Sequence, residues 1–231
     1  GAEPLGFLLS MAIPKDLDID NFKEIIGGVL QACEFYSIPL IGGDTNEASE
    51  IIISGTALGI SDKPLMKDTY NKGDLIAITG DIGLAALGFE LDNLDTIYTK
   101  KSLKPEARIK EGLILKDYAT SATDITDGLA SELYTIKKDG FGFMIYEEML
   151  NITDEYKSLA NSLDLDYLDL VLHVGEDFEL LFTISKDNLE KLPVDCKVIG
   201  EVTDSDVVEL TLENGFVEEI KNKGYEHYVS E

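Results

Sequence analysis

The sequence predicts an α/β fold in two parts: a small N-terminal sheet domain over 1–61 and a larger C-terminal α/β domain over 62–231. Three observations predict it. The first sixty residues carry apolar patterns in the order strand, helix, strand, strand. Residues 61–73 then interrupt the pattern with Pro64, Asn71 and Gly73. From Leu75 onward, short apolar runs alternate with stretches of helical period.

Taken in order, residues 5–13 (LGFLLSMAI) form an apolar run that ends at Pro14, as a buried strand would. A helix follows over 21–36, because Phe22, Ile25, Ile26, Val29 and Cys33 fall on one face of a 3.6-residue period. Asn21 and Glu24 have the spacing of a capping box. Pro39–Ile41 leads into Gly42-Gly43-Asp44-Thr45, read as a strand end and turn, and 50–60 reads as a further strand. In the second part, Leu75–Thr79 is a strand, Gly80–Gly83 a turn and Leu84–Leu91 a helix. Pro105 opens a helix to about Lys116 in the manner of a first-turn proline. A strand at 119–125 and a helix at Leu129–Ile136 come next, then helices at 154–162 and 165–172. Strands at 178–185 and 197–203 flank a short helix at 187–192, and 207–219 reads as a hairpin turning at Asn214-Gly215.

Composition narrows the function classes. A net charge of −26 disfavours a nucleic-acid backbone or an anionic membrane as partner. Two cysteines without metal spacing do not make a disulfide scaffold, and Cys33 reads as helix packing. The sequence has no apolar run long enough to span a membrane and no visible signal peptide, so a cytoplasmic protein is expected.

Several residues point to chemistry. Asp44, in a glycine-lined turn, suits magnesium, which prefers oxygen donors and meets substrate phosphates; a plain turn uses the same residues. Asp124-Ile125-Thr126-Asp127-Gly128 spans a predicted strand-to-helix corner, where ligands of α/β sheets bind. A helix cap accounts for one of its acids but not both. Arg108 is the sole arginine among 19 basic residues. It reads either as a bidentate phosphate fork or as a surface ion pair. Gly175-Glu176-Asp177-Phe178-Glu179 places three acids at and inside an apolar strand, fit for a cationic or hydrogen-bonding substrate.

In this order, GGDT (42–45), KPEAR (104–108), DITDGL (124–129), GEDFELLF (175–182) and GYEHY (224–228) resemble the thiamine-monophosphate kinase family of the aminoimidazole-ribonucleotide synthetase superfamily. The resemblance spans nearly the whole chain and implies that superfamily's two-domain fold. It implies direct, ATP-dependent phosphorylation of thiamine monophosphate to thiamine diphosphate by a homodimer. Asp44, Asp124 and Asp127 would then ligate Mg2+; Gly43, Arg108 and Thr126 would contact ATP; Glu176, Asp177 and Tyr225 would contact thiamine phosphate. The family also carries an Asp-Asp magnesium segment that would precede Gly1. Thr126 stands where the family usually has Ser. Siblings in the superfamily, such as the hydrogenase maturation factor, and a noncatalytic nucleotide-binding protein are the alternatives.

Overall fold

A computed structural model describes residues 1–223. The chain forms two compact units, Ala2–Asp62 and a larger one from Lys63 on.

The small unit is a three-stranded sheet with one helix. Strand β1 (Glu3–Ile13) is central; after helix α1 (Ile19–Tyr36) the chain returns as β2 (Leu40–Glu47), parallel to β1, and then as β3 (Ile52–Ile60), antiparallel to it. Helix α1 starts two residues earlier than the sequence pattern gave. Its cap is Asp18, whose carboxylate accepts from the Asp20 amide at 2.8 Å, so the Asn21–Glu24 pair is not the capping box. The reading of Gly42–Thr45 as a turn is corrected: these residues run inside β2, paired with Leu8–Met11. The glycines serve close approach, since a Cβ on Gly43 would lie 1.8 Å from the Leu9 carbonyl oxygen. Only Leu9 and Met11 among this unit's large apolar side chains are buried, and Cys33 is half-buried. Ile52, Ile53, Leu58 and Ile60 on β3 are exposed.

The large unit is a seven-stranded sheet with helices on both faces. In chain order its elements are β4 (Leu75–Ile78), α2 (Leu84–Phe89), α3 (Ile97–Leu103), α4 (Ile109–Leu115), β5 (Ala119–Asp124), α5 (Leu129–Ile136), β6 (Gly142–Tyr146), α6 (Asp154–Ser162), α7 (Tyr167–His173), β7 (Leu180–Ile184), α8 (Lys186–Leu189), β8 (Lys197–Thr203), β9 (Val208–Thr211) and β10 (Val217–Glu219). The sheet order is β10-β9-β6-β8-β4-β7-β5. Ile76 and Ile78 of β4 and Leu181 of β7 face one core with Leu129, Leu133 and Phe143. Ala77, Phe182 and Ile184 face a second core with Leu115. Burial on both faces explains why β4 and β7 read as continuous apolar runs. Among the described residues no helix is long and apolar enough to cross a membrane.

Three readings change here. The helix placed from Pro105 starts only at Ile109, because Arg108 is drawn elsewhere. The strand placed from Phe178 starts at Leu180; Phe178 has φ 53°. Helix α3 and strand β6 were absent from the sequence reading. The signal for α3 was Thr96, whose hydroxyl and that of Thr99 cap it reciprocally.

Leu133 has no exposed surface. Leu133→Ala should therefore cost the large unit about 2–5 kcal/mol by chemical denaturation, whereas truncation of half-exposed Leu30 should cost under about 1 kcal/mol.

Candidate active site

Strand β7 runs antiparallel to both β4 and β5, so its entrance lies beside their C-terminal ends. Three loops therefore gather at one edge of the large sheet: Thr79–Gly83, Asp124–Gly128 and Gly175–Glu179. The last is laced to both others. On one side the Glu176 amide donates to the Thr126 carbonyl at 2.7 Å, Phe178 to Ile125 at 2.9 Å, and the Ile125 amide to Glu179 at 2.8 Å. On the other, the Thr79 amide donates to the Leu180 carbonyl at 3.0 Å, and the Leu180 amide to the Thr79 hydroxyl at 2.8 Å. Gly175 permits this approach, since a Cβ there would sit 1.7 Å from the Thr126 oxygen. Glu176 and Phe178 are both left-handed, with φ of 66° and 53°. Side chains tolerate that region at a cost of order 1 kcal/mol each, sustained here by the surrounding bonds.

Glu179 is the most constrained group. Its side chain has no exposed surface. Arg108 donates to it as a fork, Nε to Oε2 and Nη2 to Oε1, both at 2.6 Å. Lys101 donates to Oε1 at 2.6 Å and the Thr79 hydroxyl to Oε2 at 2.7 Å. The reading of Arg108 as a local surface pair is thereby corrected: its main partner is buried and 71 residues away. Hydrogen bonding to Glu179 raises the Arg108 pKa above its usual value. Glu179 and Lys101 were not singled out as site residues. An acid inside an apolar run, in a chain with a single arginine, was the available signal.

Asp177 is buried as well. Its two carboxylate oxygens accept from the Gly83 amide at 2.7 Å and the Ala85 amide at 3.3 Å, closing the turn before α2. Burial pushes its pKa up to about 6, against the lowering effect of those amides. Glu176 is exposed on the same segment.

Asp124 and Asp127 are exposed, and among the described residues neither carboxylate has a hydrogen bond or ion pair. Neither Thr126 nor Asp127 caps α5, whose cap residue is Gly128 with no side-chain bond. Thr126 instead donates its hydroxyl to buried Glu132 at 3.1 Å. Asp44, in the small unit, is exposed and accepts from the Asn46 amide group at 2.9 Å. Tyr225 lies outside the described residues. No group of three His, Cys, Asp or Glu side chains is assembled as a metal cage among the described residues. Magnesium is commonly held by one or two carboxylates together with substrate phosphates, and the free pair at 124 and 127 fits that donor set.

Comparison with known proteins agrees with this architecture. Residues 1–61 match the N-terminal domain, and 71–213 the C-terminal domain, of AIR synthase related proteins. The thiamine-monophosphate kinase of Pyrococcus abyssi is 36% identical over 232 residues, covering 98% of this chain and 73% of that protein. A solved structure of AaThiL complexed with AMPPCP and TMP superposes with a TM-score of 0.86 at 27% identity, over 99% of this chain and 75% of that one. Hydrogenase maturation protein HypE of E. coli shares the fold, with a TM-score of 0.79 at 17% identity over 96% of this chain and 74% of that one.

Two outcomes follow from the buried acids. Glu179→Gln leaves two half-buried cations short of a counter-charge and should cost about 3–5 kcal/mol in denaturant midpoint analysis. For Asp177 the folded pKa lies above the unfolded one, so the folded state binds more protons between roughly pH 4 and 6. Its contribution is thus largest below pH 4 and is lost as pH rises through 6. Asp177→Asn should flatten the fall in stability across that window, measured by denaturation at pH 4.5 and 7.

Proposed function

Because the chain belongs to the thiamine-monophosphate kinases within the AIR synthase related family, we propose that it transfers the terminal phosphoryl group of ATP to thiamine monophosphate, giving thiamine diphosphate. The observation that carries the reading is the Asp124–Asp127 turn. Two carboxylates, unpaired among the described residues, stand at the end of a strand, on a backbone held by Glu176 and Phe178.

Phosphoryl transfer needs positioning and charge neutralisation more than covalent help from side chains. Each of Asp44, Asp124 and Asp127 is proposed as an oxygen donor to Mg2+. Magnesium, when bound, offsets the negative charge of phosphate oxygens. Gly43 and Thr126 are proposed ATP contacts: the first presents bare backbone, the second a hydroxyl within a fixed turn. Arg108 is the third; among the described residues its Nη1 has only Glu111, at 3.6 Å, and so keeps donors for a phosphate. Glu176 and Tyr225 are the proposed contacts to thiamine phosphate, where a carboxylate and an aromatic face suit a cationic thiazolium ring. Asp177 is spent on backbone amides, so its proposed share in substrate binding is to set Glu176. The acceptor is an ionised phosphate oxygen and needs no general base.

We further infer that the small unit pairs with a second copy. Its β3 exposes Ile52, Leu58 and Ile60 on one face, a surface that apolar burial would stabilise.

Asp124→Asn should lower the rate of thiamine diphosphate formation at least about 100-fold while shifting stability by under about 1 kcal/mol, as expected of an exposed site. Full activity in that variant would remove Asp124 from the metal role. Leu58→Lys should shift the protein from dimer to monomer in analytical ultracentrifugation.

A further inference from the structure

Among the described residues, five acidic side chains of the large unit are buried: Asp74, Glu132, Glu147, Asp177 and Glu179. Four of them have a structural task. Glu179 gathers cations, while Asp74, Asp177 and Glu147 each accept from a backbone amide and so close a loop. Glu132 differs. Among the described residues its carboxylate meets neither a cation nor an amide. Its partners are two hydroxyls, Thr126 at 3.1 Å from Oε1 and Thr123 at 3.4 Å from Oε2. Those threonines flank Asp124, and Thr126 directly precedes Asp127.

We propose that Glu132 is a positioning residue for phosphoryl transfer: it takes the one proton of the Thr126 hydroxyl, so that Thr126 has only oxygen lone pairs left for a ligand. The proposal rests on the kinase reading for the reaction it serves. It sharpens the ATP contact given to Thr126 above, which is then made through a proton-bearing group, such as water on a bound cation, and not by donation to a phosphate oxygen.

Packing does not call for an acid at this place. Glu132 shares α5 with Leu129, Leu133 and Ile136, whose side chains have almost no exposed surface. An apolar residue of similar volume would suffer no desolvation there, whereas a carboxylate gives up its water for two neutral donors. Helix geometry directs it to the corner. Side chains tilt toward the N-terminus of their helix, which carries this carboxylate back past Leu129. The first turn of a helix also favours negative charge, and α5 has no side-chain cap of its own.

The corner is held from two directions. The loop Gly175–Glu179 binds its backbone, through the amide and carbonyl of Ile125 and the carbonyl of Thr126. Those bonds leave the Thr126 side chain free to rotate, and Glu132 supplies the missing hold. A hydroxyl has one proton and two lone pairs, and an ionised carboxylate only accepts. With its proton on Glu132, Thr126 faces a phosphate oxygen as acceptor to acceptor, but it complements a cation or the water around one. Thr123 divides its proton between Glu132 and the Asp124 carbonyl, both at 3.4 Å, so Thr126 makes the firmer bond.

The test measures Mn2+ binding by the full chain without nucleotide, from the paramagnetic resonance of the free ion, beside the rate of thiamine diphosphate formation. Mn2+ takes the same oxygen donors as magnesium. Glu132→Gln keeps the shape but brings an amide that donates, which returns the Thr126 proton to the site. It should weaken Mn2+ binding and lower kcat, each by at least about tenfold, the range typical of residues that orient a metal's donors. Glu132→Asp keeps the charge one methylene short of Thr126 and should show the same losses; it also serves if the glutamine variant does not fold. In a Thr126→Val background, Glu132→Gln should add less than about twofold, because the two act as one unit. Additive losses, wild-type affinity in Glu132→Asp, or no Mn2+ binding by wild type would overturn the proposal. Turnover separates the two readings. The Mn2+ pattern in a wild type that makes no thiamine diphosphate rejects the kinase reading alone. Turnover with additive losses rejects the role of Glu132 alone.

Discussion

An ionised carboxylate with no contact to solvent is among the costliest groups a protein can bury, and Glu179 is tolerable only because every approach to it is answered. Thr79 answers from the end of β4, Lys101 from α3, Arg108 from the lead into α4. These positions are 71 to 100 residues distant in sequence from Glu179. The single carboxylate therefore fixes where three loops must end. It also explains why residues 104–108 are not helical, although Pro105 suggests a helix start: the guanidinium fork can reach Glu179 only if Arg108 stands at the cap, where φ is −84° and ψ is 50°. Well-packed apolar residues can match such a cluster in stability. What they could not match is its directional fork, which permits one arrangement of these segments.

The five residues Gly175–Glu179 turn that constraint into a site. Left-handed backbone at Glu176 and Phe178 makes alternate side chains diverge without strand pairing. Asp177 and Glu179 point inward, one onto amides that open α2, the other onto cations; Glu176 is left outside. The strained conformations persist because carbonyls and amides on both sides are bound to β5's turn and β4's end. Strain, buried acids and exposed acids thus share one segment, each for a separate reason.

Much of this was legible in the sequence where a single local pattern decides. The period over Leu129–Ile136 and the run 197–203 match α5 and β8 residue for residue. DITDG was read as a strand-to-helix corner, and it is one. Reading failed where a distant partner overrides local preference. Pro105 suggested a helix that Glu179 delays, and Phe178 alternated like a strand residue although its backbone turns back. It failed too where glycines have two uses. Gly42-Gly43 were read as a turn, but they let β2 lie close to β1. The Glu179–Arg108 pairing could not be read from spacing, because helix α4 and strands β4, β5 and β7 must first assemble to bring the two together.

The division of labour at this edge has a consequence for how the site can change. The groups that hold the loops are buried and saturated: Glu179, Asp177 and Glu132 have partners on each oxygen. The groups proposed to meet ligands, Asp124, Asp127 and Glu176, are exposed and contribute little to packing. Stability and the proposed chemistry thereby fall to different side chains on neighbouring stretches of backbone. An acidic chain can then keep exposed carboxylates at one point and cations at another without the two neutralising each other. The cations face a buried anion that fixes them, while the acids project from a turn that holds only backbone bonds. Reversing either placement would need a charge buried alone, which the interior does not tolerate.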